Sequence, residues 1–130
     1  MKIIESEKNI NIIDINNLEE KYNVVFPENF KKLYLKYNGG LEETGEDIVD
    51  ELYSIKYGKS TIEIVRDSLQ ISENNIPLYY LLFATTGVGH QIGVNLEDDS
   101  IVLFRKDDLK PEVIANSLEN LLKVNSIEEL

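Results

Sequence analysis

The chain of 130 residues carries 13 basic and 24 acidic side chains, for a formal net charge of −11. This balance argues against direct binding to nucleic acid or an anionic membrane, because both draw on clustered Lys and Arg, and it suits either solubility or a basic protein partner. The absence of cysteine excludes disulfide bonds, thiolate nucleophiles and sulfur-ligated zinc.

Length and hydropathy predict one cytoplasmic domain that spans residues 1–130. Single domains commonly have about 100–150 residues, and a content of 42% hydrophobic and 28% charged residues is ordinary for globular proteins. No apolar run approaches the ~18–20 residues needed to cross a bilayer. Glu5 and Glu7 interrupt the apolar stretch that a signal peptide would need near the N-terminus.

A short helix is predicted after an opening segment, residues 1–13. The alternation of Ile with polar residues in that segment is typical of either an edge strand or an ordered arm. Asp14 is the predicted N-cap of the helix, because its side chain can accept a hydrogen bond from a backbone N–H of the first turn. The inner face is expected to consist of Ile15, Leu18 and Tyr22.

A second helix is the most clearly specified element of the chain. Pro27 suits its first position, where a missing N–H costs nothing, and Val25 and Phe30 have the spacing of a hydrophobic staple. The Asn-Gly-Gly sequence at residues 38–40 favours a left-handed stop. The apolar stripe expected to face the core is Phe30, Leu33, Tyr34 and Tyr37.

Acidic residues are concentrated at residues 41–51, which hold six carboxylates and no base. Such charges repel one another, so residues 41–47 are predicted to form an exposed loop. The residues that follow, 51–58, are compatible with a strand.

A third helix is predicted to begin with the sequence Ser-Thr-Ile-Glu at residues 60–63. This pattern is typical of a capping box with Ser60 as the N-cap. The helix is expected to end near Ile71, with an inner face of Ile62, Val65 and Leu69.

The remaining chain predicts three strands and a closing helix. Residues 79–85, 90–96 and 101–104 are short apolar runs separated by tight turns, which indicates an antiparallel meander. Pro111 and Glu112 are predicted to open the last helix, whose inner face is Ile114, Leu118, Leu121 and Leu122. The predicted fold class is α+β, with a mainly antiparallel sheet and helices packed on one face.

The sequence LEEKYNVVFPENFKKLYLKYNGG at residues 18–40 resembles the opening signature of the SMI1/KNR4 (SUKH) superfamily. That signature is an acidic helix, a hydrophobic-Pro-Glu step, an aromatic-rich helix and Asn-Gly-Gly. The segments 83–93 and 113–122 are also similar to the family, so the resemblance spans roughly residues 12–122. It implies a SUKH-like single domain, and it implies protein binding, because related families include many bacterial immunity proteins that block a cognate toxin.

Few residues are candidates for chemistry. Gly87, Gly89 and Gly93 are interpreted as turn residues, since no Gly-Lys-Ser/Thr follows and the next predicted element is a strand. His90, the only histidine, lacks a G-x-S-x-G partner motif and is interpreted as a polar residue at the start of a strand. The acidic segments lack the pattern of a calcium loop. Carboxylate pairs for hydrolysis remain open, but nothing in the sequence selects one.

We therefore predict a protein-binding module, without cofactor, metal or catalytic residue, that neutralises a basic toxin of nuclease or deaminase type. The alternative is a regulatory or scaffold module of the same fold. An enzyme, the third hypothesis, would require a deep pocket that collects His90 and carboxylates of raised pKa. The first predicted contact surface, here called the acidic loop, is Glu42, Glu43, Glu46, Asp47, Asp50 and Glu51. The second, called the acidic turn, is Glu97, Asp98 and Asp99.

Overall fold

The computed structural model describes all 130 residues and contains one seven-stranded sheet. The spatial order of the strands is their order in the chain, and every neighbouring pair is antiparallel. The strands are β1 Ile3–Ile4, β2 Gly40–Glu42, β3 Glu51–Leu52, β4 Tyr80–Thr85, β5 Gln91–Asn95, β6 Ile101–Phe104 and β7 Pro111–Ala115. The predicted α+β class and the meander of β4, β5 and β6 are confirmed.

Four α-helices accompany the sheet. They are α1 Ile12–Tyr22, α2 Glu28–Lys36, α3 Ile62–Val65 and α4 Leu118–Leu122. A π-helix, Arg66–Ser72, continues α3 directly, and a short 3-10 helix, Ile127–Glu129, lies at the end of the chain.

The alternation of side chains along β4 divides the core into two clusters. Leu81 and Phe83 point to the face covered by α1 and α2, where Phe30 meets the Phe83 ring edge-on at a centroid distance of 4.8 Å. Tyr80 and Leu82 point to the opposite face. The smaller cluster on that face consists of Ile76, Tyr80, Leu82, Val102 and Phe104.

The capping of α1 differs from the sequence prediction. Asn11, not Asp14, is the N-cap, and the Asn11 side chain accepts a hydrogen bond from the Asp14 N–H at 3.1 Å. The Asp14 carboxylate in turn accepts from the Asn11 N–H at 3.1 Å, which completes a capping box one turn earlier than expected. Ile15 and Leu18 are buried as predicted.

The entry into α2 also differs. Pro27 occupies the N-cap, and Val25 is 74% exposed while Phe26 is buried, so the predicted staple between Val25 and Phe30 is wrong. Left-handed backbone at Asn23 turns the chain out of α1, and the Phe26 N–H is bound by the Glu19 carboxylate at 2.8 Å. These contacts direct Phe26 inward.

The left-handed conformation expected after α2 occurs at Gly39 and not at the residue directly after the helix. The helix stops at Lys36 with Tyr37 in extended backbone, and Gly39 follows with a φ of +72°. A Cβ at Gly39 would lie 2.9 Å from the Leu52 carbonyl oxygen, so glycine is required for the close approach to β3.

The cap of α3 is Thr61, so the predicted capping box on Ser60 is wrong. The Thr61 hydroxyl accepts from the Ile64 N–H at 3.1 Å, and the Glu63 carboxylate accepts from Lys56 N–H instead of reaching back to its own helix. The chain then widens into the π-helix, which buries Arg66 and Gln70.

The predicted closing helix begins later than expected. Residues 111–115 form edge strand β7, where Pro111 takes the first position, a place that tolerates its missing N–H, and β-branched Val113 and Ile114 suit extended backbone. The helix α4 starts only after Ser117, whose hydroxyl accepts from the Asn120 N–H at 3.1 Å.

The N-terminal segment, for which the sequence allowed either an edge strand or an ordered arm, forms edge strand β1, which pairs with β2.

Candidate protein-binding surfaces

The acidic loop and the acidic turn lie at opposite ends of the sheet. Glu51 pairs with Thr85 at the end of β4, which places the β2–β3 connection at that end. Asn95 pairs with Tyr80 at the start of β4, so the β5–β6 turn lies at the other end. The two predicted contact surfaces therefore do not form one continuous patch.

Glu42 is turned into the acidic loop. It belongs to β2 and is only 7% exposed, unlike the exposed residue that the charge pattern predicted. Its carboxylate accepts from the Thr44 hydroxyl at 2.8 Å and from the Gly45 N–H at 2.7 Å. Burial alone would raise the pKa of Glu42, but these hydrogen bonds outweigh it and lower the pKa. Glu42 thus shapes the loop from inside, and its contact with a partner stays a prediction.

The other carboxylates of the acidic loop have mixed environments. Glu43 forms an ion pair with Lys2 at 3.1 Å, and the Asp47 carboxylate accepts from the Ile48 N–H at 2.9 Å. Glu46 and Asp50 are exposed and belong to none of the six ion pairs of the molecule. The charge that this loop presents to solvent is therefore smaller than its composition indicates.

Glu51 lies in an open cleft with two carboxylates that the sequence analysis did not select, Glu5 and Glu7. The cleft has a volume of about 470 Å³ and is also lined by Lys59. Burial, and then the charge of Asp50, raise the pKa of Glu51. The sequence alone does not indicate that Glu5 and Glu7 lie near Glu51, because only the pairing of β1 with β2 brings the N-terminal segment beside β3.

The acidic turn presents all three of its carboxylates to solvent. Glu97, Asp98 and Asp99 are exposed, and none of them forms an ion pair. Hydrogen bonds from the Ser100 hydroxyl at 2.6 Å and the Ser100 N–H at 2.9 Å lower the pKa of Asp98. The Asn95 side chain accepts from the Glu97 N–H at 2.9 Å. The turn is thus held in one shape by its own polar groups, with its negative charge uncompensated.

His90 lies in the turn that joins β4 to β5. Its Nδ1 accepts from the Lys106 N–H at 3.1 Å, and it is not among the residues that line the cleft of Glu5, Glu7 and Glu51. The structure therefore does not bring the imidazole together with the carboxylate of raised pKa. No group of three or more His, Asp or Glu side chains is arranged to hold a metal ion.

A further surface feature, an apolar groove beside the acidic turn, was missed by the sequence analysis. Val25, Leu78 and Tyr79 are 74%, 49% and 42% exposed and line it. The prediction had placed Val25 in a helix staple and Tyr79 inside a buried strand. The strand β4 begins one residue later, at Tyr80, and the α1–α2 connection turns Phe26 rather than Val25 inward. A one-residue shift at each place decides which side chain is exposed, and apolar pattern alone does not resolve that shift.

These features define a small α+β domain whose solvent-facing surfaces are acidic at two separate ends and apolar beside one of them. The family model of the SMI1 / KNR4 family (SUKH-1) matches residues 9–124. The chain belongs to this family. A search of curated proteins found no match to the sequence. No helix in the structure combines the length and the hydropathy that crossing a bilayer would require.

Proposed function

We propose that the chain is a protein-binding module that neutralises a basic partner, and that the partner is a toxin domain of nuclease or deaminase type. The observation that carries the proposal is the acidic turn, where Glu97, Asp98 and Asp99 are exposed and unpaired. Membership in the SUKH-1 family supports it, because related families include bacterial immunity proteins. The proposal assigns the chain no catalytic activity.

Electrostatic complementarity supplies the physical basis. A nuclease holds phosphate in a basic cleft, and the carboxylates of an inhibitor occupy the place of the phosphates. The net charge of −11 attracts such a cleft over distances up to the Debye length, about 8 Å at physiological salt. Association is therefore fast at low salt and slows as salt is added.

We further propose that the acidic turn, rather than the acidic loop, is the main contact. In the loop, Glu42 is buried and Glu43 is paired with Lys2, whereas all three carboxylates of the turn are exposed and none forms an ion pair. The six residues of β4 separate the two ends by roughly 20 Å, given a rise of about 3.3 Å per residue. The two acidic surfaces are therefore distinct candidates that can be tested separately.

Affinity capture followed by co-expression tests this function. The chain is immobilised, proteins from its native host are captured at low salt, and the retained protein is identified. That protein is then expressed in a sensitive bacterial strain, alone and with the chain. The proposal predicts that the captured protein is basic and stops growth, and that the chain restores growth. Capture of a harmless signalling protein instead would overturn the proposal and favour the regulatory or scaffold alternative.

A further inference from the structure

An apolar groove of about 540 Å³ lies between the α1–α2 connection and the start of β4. Its lining includes the exposed side chains of Val25, Leu78 and Tyr79 together with Leu96. Exposed apolar side chains that adjoin one another in a concave surface are characteristic of binding sites. Val25, Leu78 and Tyr79 belong to neither of the two buried clusters, and Leu96 packs against the edge of the larger one.

The π-helix holds the rim of this groove in place. The Arg66 guanidinium, which is 2% exposed, donates to the Leu78 carbonyl at 2.8 Å and the Tyr80 carbonyl at 3.1 Å. The Gln70 amide donates to the carbonyls of Pro77 at 2.9 Å and Tyr80 at 2.7 Å. Four hydrogen bonds thus fix the backbone on both sides of Leu78 and Tyr79. A rim that is already rigid loses little conformational entropy when a ligand binds.

Negative charge adjoins the groove. Leu96 lines the groove and Glu97 is the next residue, and the Leu96 N–H donates to the Tyr79 carbonyl at 2.8 Å. On the side of α1, the Tyr22 hydroxyl donates to the Asp67 carboxylate at 2.8 Å. Arg66 is the one cation among the residues that line the groove. Its guanidinium is buried and donates to backbone carbonyls. A ligand in the groove therefore meets an apolar floor beside exposed carboxylates.

We propose that this groove binds a protein segment in which one large apolar side chain is flanked by Lys or Arg. The apolar side chain packs against Val25, Leu78 and Tyr79, and the flanking cations face Glu97, Asp98 and Asp99. Exposed aromatic anchors of this kind commonly dominate binding energy, while neighbouring charges set rate and specificity. That the segment belongs to a toxin rests on the function proposed above.

A peptide titration tests the groove without the natural partner. The probe is a synthetic peptide with a central Trp flanked on both sides by Lys, added to the full chain labelled for methyl NMR. The proposal predicts saturable shifts at the methyl groups of Val25, Leu78 and Leu96. Replacing the Trp of the peptide by Ala, or its Lys residues by Glu, is expected to weaken binding about tenfold or more. Shifts confined to the acidic loop, or equal binding of the Ala peptide, would overturn the proposal.

Matched variants of the chain separate this proposal from the function above. Tyr79→Ala and Leu78→Ser are expected to weaken peptide binding about tenfold, whereas Val113→Ser, at a 67% exposed site on β7, leaves it unchanged. Thermal unfolding confirms that each variant is folded. If Tyr79→Ala binds the peptide as tightly as the wild-type chain, while the wild-type chain protects cells from the captured toxin, the groove proposal fails and the function stands. If the peptide binds the groove but the captured protein is harmless, the toxin function fails and the groove stands.

Discussion

Asn38 and Ile55 exchange two hydrogen bonds in the buried interior. The Asn38 side-chain amide donates to the Ile55 carbonyl at 2.9 Å, and its oxygen accepts from the Ile55 N–H at 2.7 Å. The same amide also donates to the Lys8 carbonyl at 2.9 Å. One side chain thus takes the place of a missing strand neighbour and ties the segment after β3 to the N-terminal segment. The Asn of the Asn-Gly-Gly motif is a structural residue.

Asn38→Ala is therefore expected to destabilise the protein by about 2–4 kcal/mol, because it leaves several buried backbone groups without partners. Urea unfolding followed by circular dichroism measures the loss. Asn75→Ala, at an exposed asparagine, is the control and should change stability by less than about 0.5 kcal/mol. Equal stability of the two variants would show that the Asn38 network contributes nothing net.

Gly40→Ala is expected to disrupt the pairing of β1 with β2. The φ of Gly40 is +132°, and a Cβ there would lie 2.6 Å from the Ile4 carbonyl oxygen. Strained backbone of this kind costs about 1–3 kcal/mol before the clash is counted. Hydrogen exchange at the Glu43 amide, which donates to the Lys2 carbonyl at 3.0 Å, should accelerate. Gly87→Ala meets no atom within 4 Å and should leave that exchange rate unchanged.

Glu42→Gln is expected to destabilise the chain more at pH 7 than at acid pH. The folded pKa of Glu42 is below its usual value of 4.5, so its ionised form contributes stability above the unfolded pKa. That contribution disappears as the pH falls through the folded pKa. The difference in melting temperature between wild type and variant should therefore shrink as the pH falls through the folded pKa. Exposed Glu46→Gln is the control and should change the melting temperature little at pH 7.

Arg66→Lys is expected to weaken peptide binding although Arg66 is buried beneath the groove. A lysine cannot reproduce the forked geometry that reaches the carbonyls of both Leu78 and Tyr80. The backbone on either side of Tyr79 is then held less firmly. Stability should fall by about 1–3 kcal/mol, and the peptide affinity should fall with it. Retention of full peptide affinity in a folded Arg66→Lys protein would show that the π-helix does not position the rim.

Much of the fold could be predicted because its signals are local. The stripe of Phe30, Leu33 and Tyr34 and the short apolar runs of the meander specify their elements within a few residues. The errors fall where competing local patterns are of similar strength. Pro111 resembles a helix start, but pairing with β6 makes it the first residue of a strand, and the helix begins only after Ser117.

The candidate surfaces could be predicted less well, because they depend on contacts between distant residues. Charge density selected Glu42, but the strand β2 and the turn at Gly45 place its carboxylate inside the loop. The position of the acidic turn at the opposite end from the acidic loop follows from strand pairing, which no local pattern encodes. The groove was missed because one-residue shifts at Val25 and Tyr79 decide which side chain is exposed.

The most direct measurement of the central claim compares two charge-matched variants in their affinity for the captured toxin. The first variant combines Glu97→Lys with Asp99→Asn in the acidic turn. The second combines Glu46→Lys with Asp50→Asn in the acidic loop, so the net charge changes by the same amount in both. Calorimetry should show that the first variant binds at least about tenfold more weakly, a loss of about 1.4 kcal/mol, and that the second binds nearly as well as wild type. Equal affinity of the two variants, or a larger loss in the acidic-loop variant, would contradict the claim that the acidic turn is the contact surface.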